Sequence, residues 1–237
     1  MHKPIYQLDS YTKEFDSKVK EVIDGKFIVL EDTAFYPRGG GQPCDYGTLI
    51  AHAGVVYKVL SVTKKDGLII HELESPGLIK GDKVHGTIDW ERRYKLMRMH
   101  TAAHVLCGVF EQREETLITG NQLDLEQSRV DLSLEEFNRE KMKQNVEVAN
   151  GILNKELPIE VSFIKMEDAK KNTKLFKLAM EFPHDLEEIR LVDIVGHDLQ
   201  ADGGTHVKNT KEVGKIVLLK CENKGKNKRR VYFGLEP

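Results

Sequence analysis

The sequence predicts an α+β protein: a small N-terminal β-barrel over residues 1–89, then an α+β domain over residues 90–237 with helices packed on an antiparallel sheet. Three observations predict it. Residues 1–89 alternate short β-rich runs with turn signals. At Asp89 the pattern changes to a long stretch without proline. Beyond it, helical stretches and short strand-like runs follow one another to the end of the chain.

Taken in order, Lys26 to Leu30 is a short apolar strand after the Asp24-Gly25 turn. The runs Val55 to Val62 and Gly67 to Leu73 are joined by Lys64-Lys65-Asp66-Gly67, a hairpin signal, and Lys83 to Asp89 follows the Lys80-Gly81-Asp82 turn. Regular short strands of this kind suit a barrel. Asp89 suits a helix N-cap, and Trp90 to Arg113 then meets its first glycine only at Gly108. Leu117 to Leu132 reads as a hairpin, with Leu123, Leu125, Val130 and Leu132 in strand positions. Ser133-Leu134-Glu135-Glu136 reads as a capping box opening a second helix to about Asn154. Leu134, Phe137, Val146, Ala149, Ile152 and Leu153 would be its buried face, and Pro158 ends it. A strand over Ile159 to Lys165, a short helix near Met166 to Phe176, and strands at Arg190 to Ile194, Lys215 to Lys220 and Arg229 to Leu235 complete the chain.

Composition narrows the function. The 237 residues are 40% hydrophobic and 31% charged, as in a soluble globular chain. No run is long enough for a transmembrane helix, and Met1 to Ser10 has no apolar signal-peptide core. The three cysteines, Cys44, Cys107 and Cys221, are scattered and lack zinc-finger spacing. These features predict a cytoplasmic protein, monomer or homodimer, with no disulfide framework and no membrane partner. A net charge of −2 gives no global attraction to nucleic acid. Local basic clusters remain: Arg92, Arg93, Lys95 and Arg98, and Lys220 to Arg230 near the C-terminus.

Two motifs carry chemistry. His100-Thr101-Ala102-Ala103-His104 places two imidazoles one helical turn apart on one face. Asp202-Gly203-Gly204-Thr205-His206 adds a carboxylate and a third imidazole in a glycine-rich turn. Each alone is ordinary, since a His pair beside Val105, Leu106, Val109 and Phe110 also suits a semi-buried helix. Together they supply three nitrogens and one oxygen, enough for a tetrahedral Zn2+ site. No glutamate follows His100, so the metalloprotease arrangement is set aside. His52, His71, His85 and His184 have no ligand spacing and read as surface or core residues. His197, close to the second motif, is a candidate to support a ligand from behind.

Four segments together resemble the editing module of alanyl-tRNA synthetases and its freestanding relatives, the AlaX-type trans-editing proteins. They are Thr33 to Pro43 with Asp45-x-Gly47, His100 to His104, Gln200 to Gly214, and Arg129 to Leu132. The likeness covers nearly the whole chain and leaves no room for an aminoacylation domain, which points to the freestanding, medium-length class. The resemblance implies hydrolysis of mischarged alanine tRNA, seryl-tRNA first and glycyl-tRNA second, at a zinc site in the 90–237 editing domain. The alternative is a tRNA-binding module that keeps the fold without catalysis. One departure stands out: the family's usual cysteine, four residues before the last histidine, is Asp202 here. The ion would be held by His100, His104, His206 and Asp202, or by the three histidines and water.

For the remaining roles, a residue must read the serine hydroxyl, because a site that hydrogen-bonds a hydroxyl rejects the substrate lacking it. Thr119 lies roughly where the family places such a threonine, with Gln122 and Thr205 as rivals. Gln42 would reach toward the reaction from the glycine-rich segment. Gly39, Gly40 and Gly41, together with Arg38, Arg92, Arg93 and Arg98, would contact the tRNA.

Overall fold

The structure, a computed structural model, describes residues 3–52, 54–136, 138–172, 175–176 and 187–236. The chain divides into two compact units, Met1–Lys95 and Leu96–Pro237.

The first unit opens with a short helix, α1 (Ile5–Leu8), followed by β1 (Glu14–Ile23), β2 (Phe27–Leu30), β3 (Gly47–Ala51), β4 (Val56–Lys65), β5 (Leu68–Leu73) and β6 (Lys83–Ile88). These six strands close into a barrel in the order β1-β2-β5-β4-β3-β6. Closure pairs every strand on both sides and leaves no edge to protect. Phe15, Val19, Ile28, Leu49, Val59, Leu73 and Val84 fill the interior. β4 and β5 form the expected hairpin about Asp66 and Gly67. β1 and β3 did not stand out in the sequence. β1 buries only Phe15 and Val19, four apart, and a register shift between Val19 and Glu21 breaks its alternation.

The glycine-rich segment between β2 and β3 is a tight hairpin. Gly39 and Gln42 exchange backbone hydrogen bonds of 3.1 and 2.8 Å, and between them Gly40 and Gly41 have φ of 55° and 84°. Two successive positive φ angles are what a two-residue hairpin turn asks for, and glycine meets that at no steric cost.

The second unit contains most of α2 (Trp90–Glu114), the 25-residue helix within which the division falls. Asp89 caps it, accepting a hydrogen bond from the Arg92 N–H at 3.1 Å. Every residue from 99 to 110 is buried, so this is a core helix rather than a one-sided surface helix. There follow β7 (Ile118–Gln122), β8 (Ser128–Leu132), α3 (Arg139–Leu153), β9 (Ile159–Lys165), α4 (Met166–Ala169), β10 (Glu188–Ile194), β11 (Asp198–Ala201), β12 (Lys215–Asn223) and β13 (Arg229–Glu236). Two antiparallel sheets form among the described residues, one of order β11-β10-β9 and one of order β12-β13-β8-β7. α3 lies against β12, where the Asn150 amide accepts from the Ile216 N–H at 2.7 Å and donates to its carbonyl at 2.9 Å.

Two expectations need correction. α3 starts at Arg139, capped by the Asn138 side chain, which accepts from the N–H groups of Glu140 and Lys141. Ser133 instead accepts from the Leu117 N–H at 2.9 Å, in the segment leading into β7, so its hydroxyl serves the hairpin and not the helix. Phe137, expected on the helix's buried face, lies outside the described residues, as do two positions of the expected helix to Phe176. Of its described residues only Met166–Ala169 form an α-helix, α4, with Lys170 as its C-cap.

Candidate metal centre

α2 supplies the first two candidate ligands. His100 and His104, four residues apart on a helix, set their rings 4.9 Å apart at 83°. The loop after β11 supplies the others, Asp202 and His206. The His206 ring lies 4.3 Å from that of His100 and 4.5 Å from that of His104. One ligand atom from each of the four residues falls within 4.8 Å of all the others. The three histidines are buried and Asp202 is nearly so.

The orientation of the rings is as informative as their proximity. All three Nε2 atoms face the Asp202 carboxylate: His100 and His104 at 3.5 and 3.9 Å from Oδ1, and His206 at 3.0 Å from Oδ2. Oδ2 also accepts the Gly204 N–H at 2.6 Å, while Oδ1 is the oxygen that both His100 and His104 face. The Arg190 guanidinium donates to the Asp202 carbonyl at 2.9 Å and so helps to place the residue. Behind the rings, His206 Nδ1 meets the Thr101 hydroxyl at 3.1 Å. His104 Nδ1 meets the Gln200 amide at 2.9 Å and the Asp198 carboxylate at 3.3 Å.

Electrostatics prepare the group for a cation. Burial lowers His206 to about 4 and drives His100 well below its ordinary value; His104 adds to the fall of both, His206 adds to that of His100, and Asp202 opposes both. Both rings are therefore neutral near pH 7, with lone pairs available to a metal. Burial alone would raise Asp202, but the surrounding histidines outweigh it and hold the carboxyl well below its usual range, as an anion. Three imidazole nitrogens and one carboxylate oxygen fit a tetrahedral divalent ion, zinc above all.

Comparison with known proteins fits this picture. Residues 1–92 match the family described as tRNA synthetases class II (A), and residues 189–232 match the threonyl and alanyl tRNA synthetase second additional domain. The alanyl-tRNA editing protein AlaX-M of Methanosarcina barkeri is 46% identical, over 99% of each chain. Its counterpart in Saccharolobus solfataricus is 41% identical over the full length of both. This chain belongs to the alanyl-tRNA editing proteins. It is also 37% identical to the alanine–tRNA ligase of Pyrobaculum aerophilum, where 93% of this chain corresponds to 25% of the longer one.

The other residues singled out in the sequence fall in varied settings. Arg38 and Gly39 to Gly41 are exposed at the tip of the barrel's hairpin, and Gln42 is buried at its base. Gly47, in the same family motif, is held by sterics: a Cβ there would lie 2.1 Å from the Thr87 carbonyl. Thr119 is exposed on β7 where the pairing with β8 shifts register, its rival Gln122 is exposed on the same strand, and Thr205 is fully buried beside His206. Arg92 donates to the Cys44 carbonyl at 3.1 Å and lies over the Tyr46 ring, and Arg98 donates to the Val213 carbonyl at 3.0 Å.

Arg93 departs from expectation. It is fully buried, and its guanidinium donates to the Asp45 carboxylate and to the carbonyls of Ser10 and Ala34. With those donors engaged in the interior, it presents nothing to a phosphate. His197 departs as well: its Nε2 meets the Val105 carbonyl at 3.0 Å, against Gly108, where a Cβ would come within 2.9 Å of the ring. The contact behind His104 is made instead by the next residue, Asp198. His52 is exposed, His85 pairs with Asp16 at 2.9 Å, and His184 lies outside the described residues.

Proposed function

We propose that this chain hydrolyses the ester joining a wrong amino acid to alanine tRNA, serine first and glycine second, at a zinc ion held by His100, His104, His206 and Asp202. The observation that carries this reading is the convergence of those four donors in a chain that matches an alanyl-tRNA editing protein from end to end. When bound, zinc supplies a Lewis acid able to polarise the ester carbonyl or lower the pKa of an attacking water. The protein's own contribution is positional. Neutral rings present Nε2, the Gly204 N–H steadies the Asp202 carboxylate, and an aminoacyl ester, already activated, needs little more than an oriented water and relief of oxyanion charge.

Selectivity falls to a polar side chain that pairs with the serine hydroxyl. Thr119, exposed on β7, is assigned that role, and Gln42 of the glycine hairpin is the second residue assigned to the reaction. Arg38 with Gly39 to Gly41, and the partly exposed Arg92 and Arg98, form the tRNA-binding set. Arg93 leaves it.

The test is deacylation of seryl-, glycyl- and alanyl-tRNA for alanine by zinc-loaded protein and by His100→Ala. Seryl-tRNA should be hydrolysed, alanyl-tRNA spared, and the variant slowed by about a thousandfold, the scale of a lost Lewis acid. Bound zinc with no hydrolysis of any ester would overturn the catalytic reading.

A further inference from the structure

We infer that Asp198 is the positioning residue that makes His104 a ligand, by accepting the proton on its Nδ1. The inference rests on the metal site proposed above and concerns the side of it that faces away from the ion. β11 alternates, so Asp198 and Gln200 share one face, and both are buried. Gln200 Nε2 lies 2.7 Å from Asp198 Oδ2 and 2.9 Å from His104 Nδ1. The carboxylate fixes the amide's direction, because a carbonyl oxygen turned toward it would be repelled. His104 Nδ1 therefore faces one donor, the Gln200 NH2, and one acceptor, Asp198 Oδ2 at 3.3 Å.

That asymmetry decides the tautomer. While Nδ1 accepts from Gln200, the ring's proton sits on Nε2, the nitrogen facing Asp202, and His104 is closed to a cation. For Nε2 to offer its lone pair, the proton must move to Nδ1. There it needs an acceptor, and of the two partners only Asp198 is one. A carboxylate has lone pairs enough to take both the Nδ1–H and the Gln200 N–H. A charged acceptor behind an imidazole also raises its basicity as a ligand. Among the described residues, His206 Nδ1 meets the neutral Thr101 hydroxyl in the corresponding place, so the two rings are not equivalent.

The test uses the full-length protein and two readouts other than turnover. In competition for Zn2+ against a chromophoric chelator, Asp198→Asn should bind about 10- to 100-fold more weakly than wild type. Thr101→Val should lose less, because a charge-assisted hydrogen bond is roughly twice as strong as a neutral one. In zinc-loaded wild type, long-range proton–nitrogen NMR of the imidazoles should find His104 protonated on Nδ1 and metal-bound through Nε2. An Asp198→Asn protein with wild-type affinity, or a His104 bound through Nδ1, overturns the inference while leaving the metal site intact. Failure of wild type to bind zinc, or equal binding by His100→Ala, overturns instead the reading on which it rests. The NMR readout needs no variant, so an Asp198→Asn chain that does not fold still leaves the question decided.

Discussion

Among the described residues, buried histidines fall in two sets, one in each unit, and they differ in what their nitrogens face. His71, in the barrel, is as buried as any ligand candidate. Its Nδ1 donates to the Ile28 carbonyl at 3.0 Å, and its Nε2 accepts from the Thr33 hydroxyl at 2.9 Å. Each nitrogen has its own partner in a different direction, and among the described residues no second imidazole faces the ring. His100, His104 and His206 turn all three Nε2 atoms toward one carboxylate. Burial is common to both sets, and lowered basicity is shared by His71, His100 and His206, so neither distinguishes a site from a core residue. Convergence of ring nitrogens on one carboxylate does.

The same contrast separates buried arginine from exposed arginine, and here the largest stability effect is expected. Arg93 and Asp45 are fully buried against each other. Removing one partner leaves an unpaired interior charge, at a cost of about 3–5 kcal/mol, whereas replacing both by apolar groups is often close to neutral. Arg93→Leu should therefore lower the urea midpoint sharply, and Arg93→Leu with Asp45→Leu should recover most of the loss. If the double variant is no better than the single one, the pair is not the unit of stability here, and Arg93 acts through its bonds to the Ser10 and Ala34 carbonyls.

A smaller effect separates His71 from the metal set. Burial lowers His71 to about 4, against an unfolded value of 6.5, with the Ile28 carbonyl opposing the fall. Between those values the unfolded chain binds the extra proton. Stability is then fully present above 6.5 and is lost as the pH falls toward 4, by roughly 3 kcal/mol for a shift of this size. In metal-free protein, His71→Gln should flatten the pH dependence of the unfolding free energy in that window by about one proton. An unchanged slope would place the acid sensitivity wholly in the other histidines.

Much of the candidate metal centre was legible because its parts are local. The i, i+4 spacing on a helix and a five-residue glycine loop each bring two candidate ligands together without reference to the rest of the fold. What lay beyond reach depends on distant partners. Asp198 and Gln200 look like surface residues until β11 exists to turn both inward, toward a histidine more than ninety residues earlier. Arg93 joined a basic cluster on paper because charged residues are mostly exposed, and its partner Asp45 sits 48 residues away. The capping box at Ser133 was a sound local signal that a tertiary bond to Leu117 overrode. The barrel's class was readable from its turns, but β1, with only two inward apolar residues, was not.

The smallest effect bears on tRNA and asks whether exposure, which does not sort the histidines, sorts the arginines. Arg38 stands exposed beside a hairpin whose tip is all glycine, so no neighbouring side chain there obstructs a sugar–phosphate backbone. Arg92 and Arg98 already donate to carbonyls and can offer only part of their guanidinium. If Arg38 neutralises a phosphate, Arg38→Glu should weaken tRNA binding at low salt and reduce the slope of log affinity against log salt by about 1. The same substitution at Arg92 or Arg98 should do less. Equal losses at all three would mean that the reversed charge acts through the general field and not through a contact, and would remove Arg38 from the tRNA-binding set.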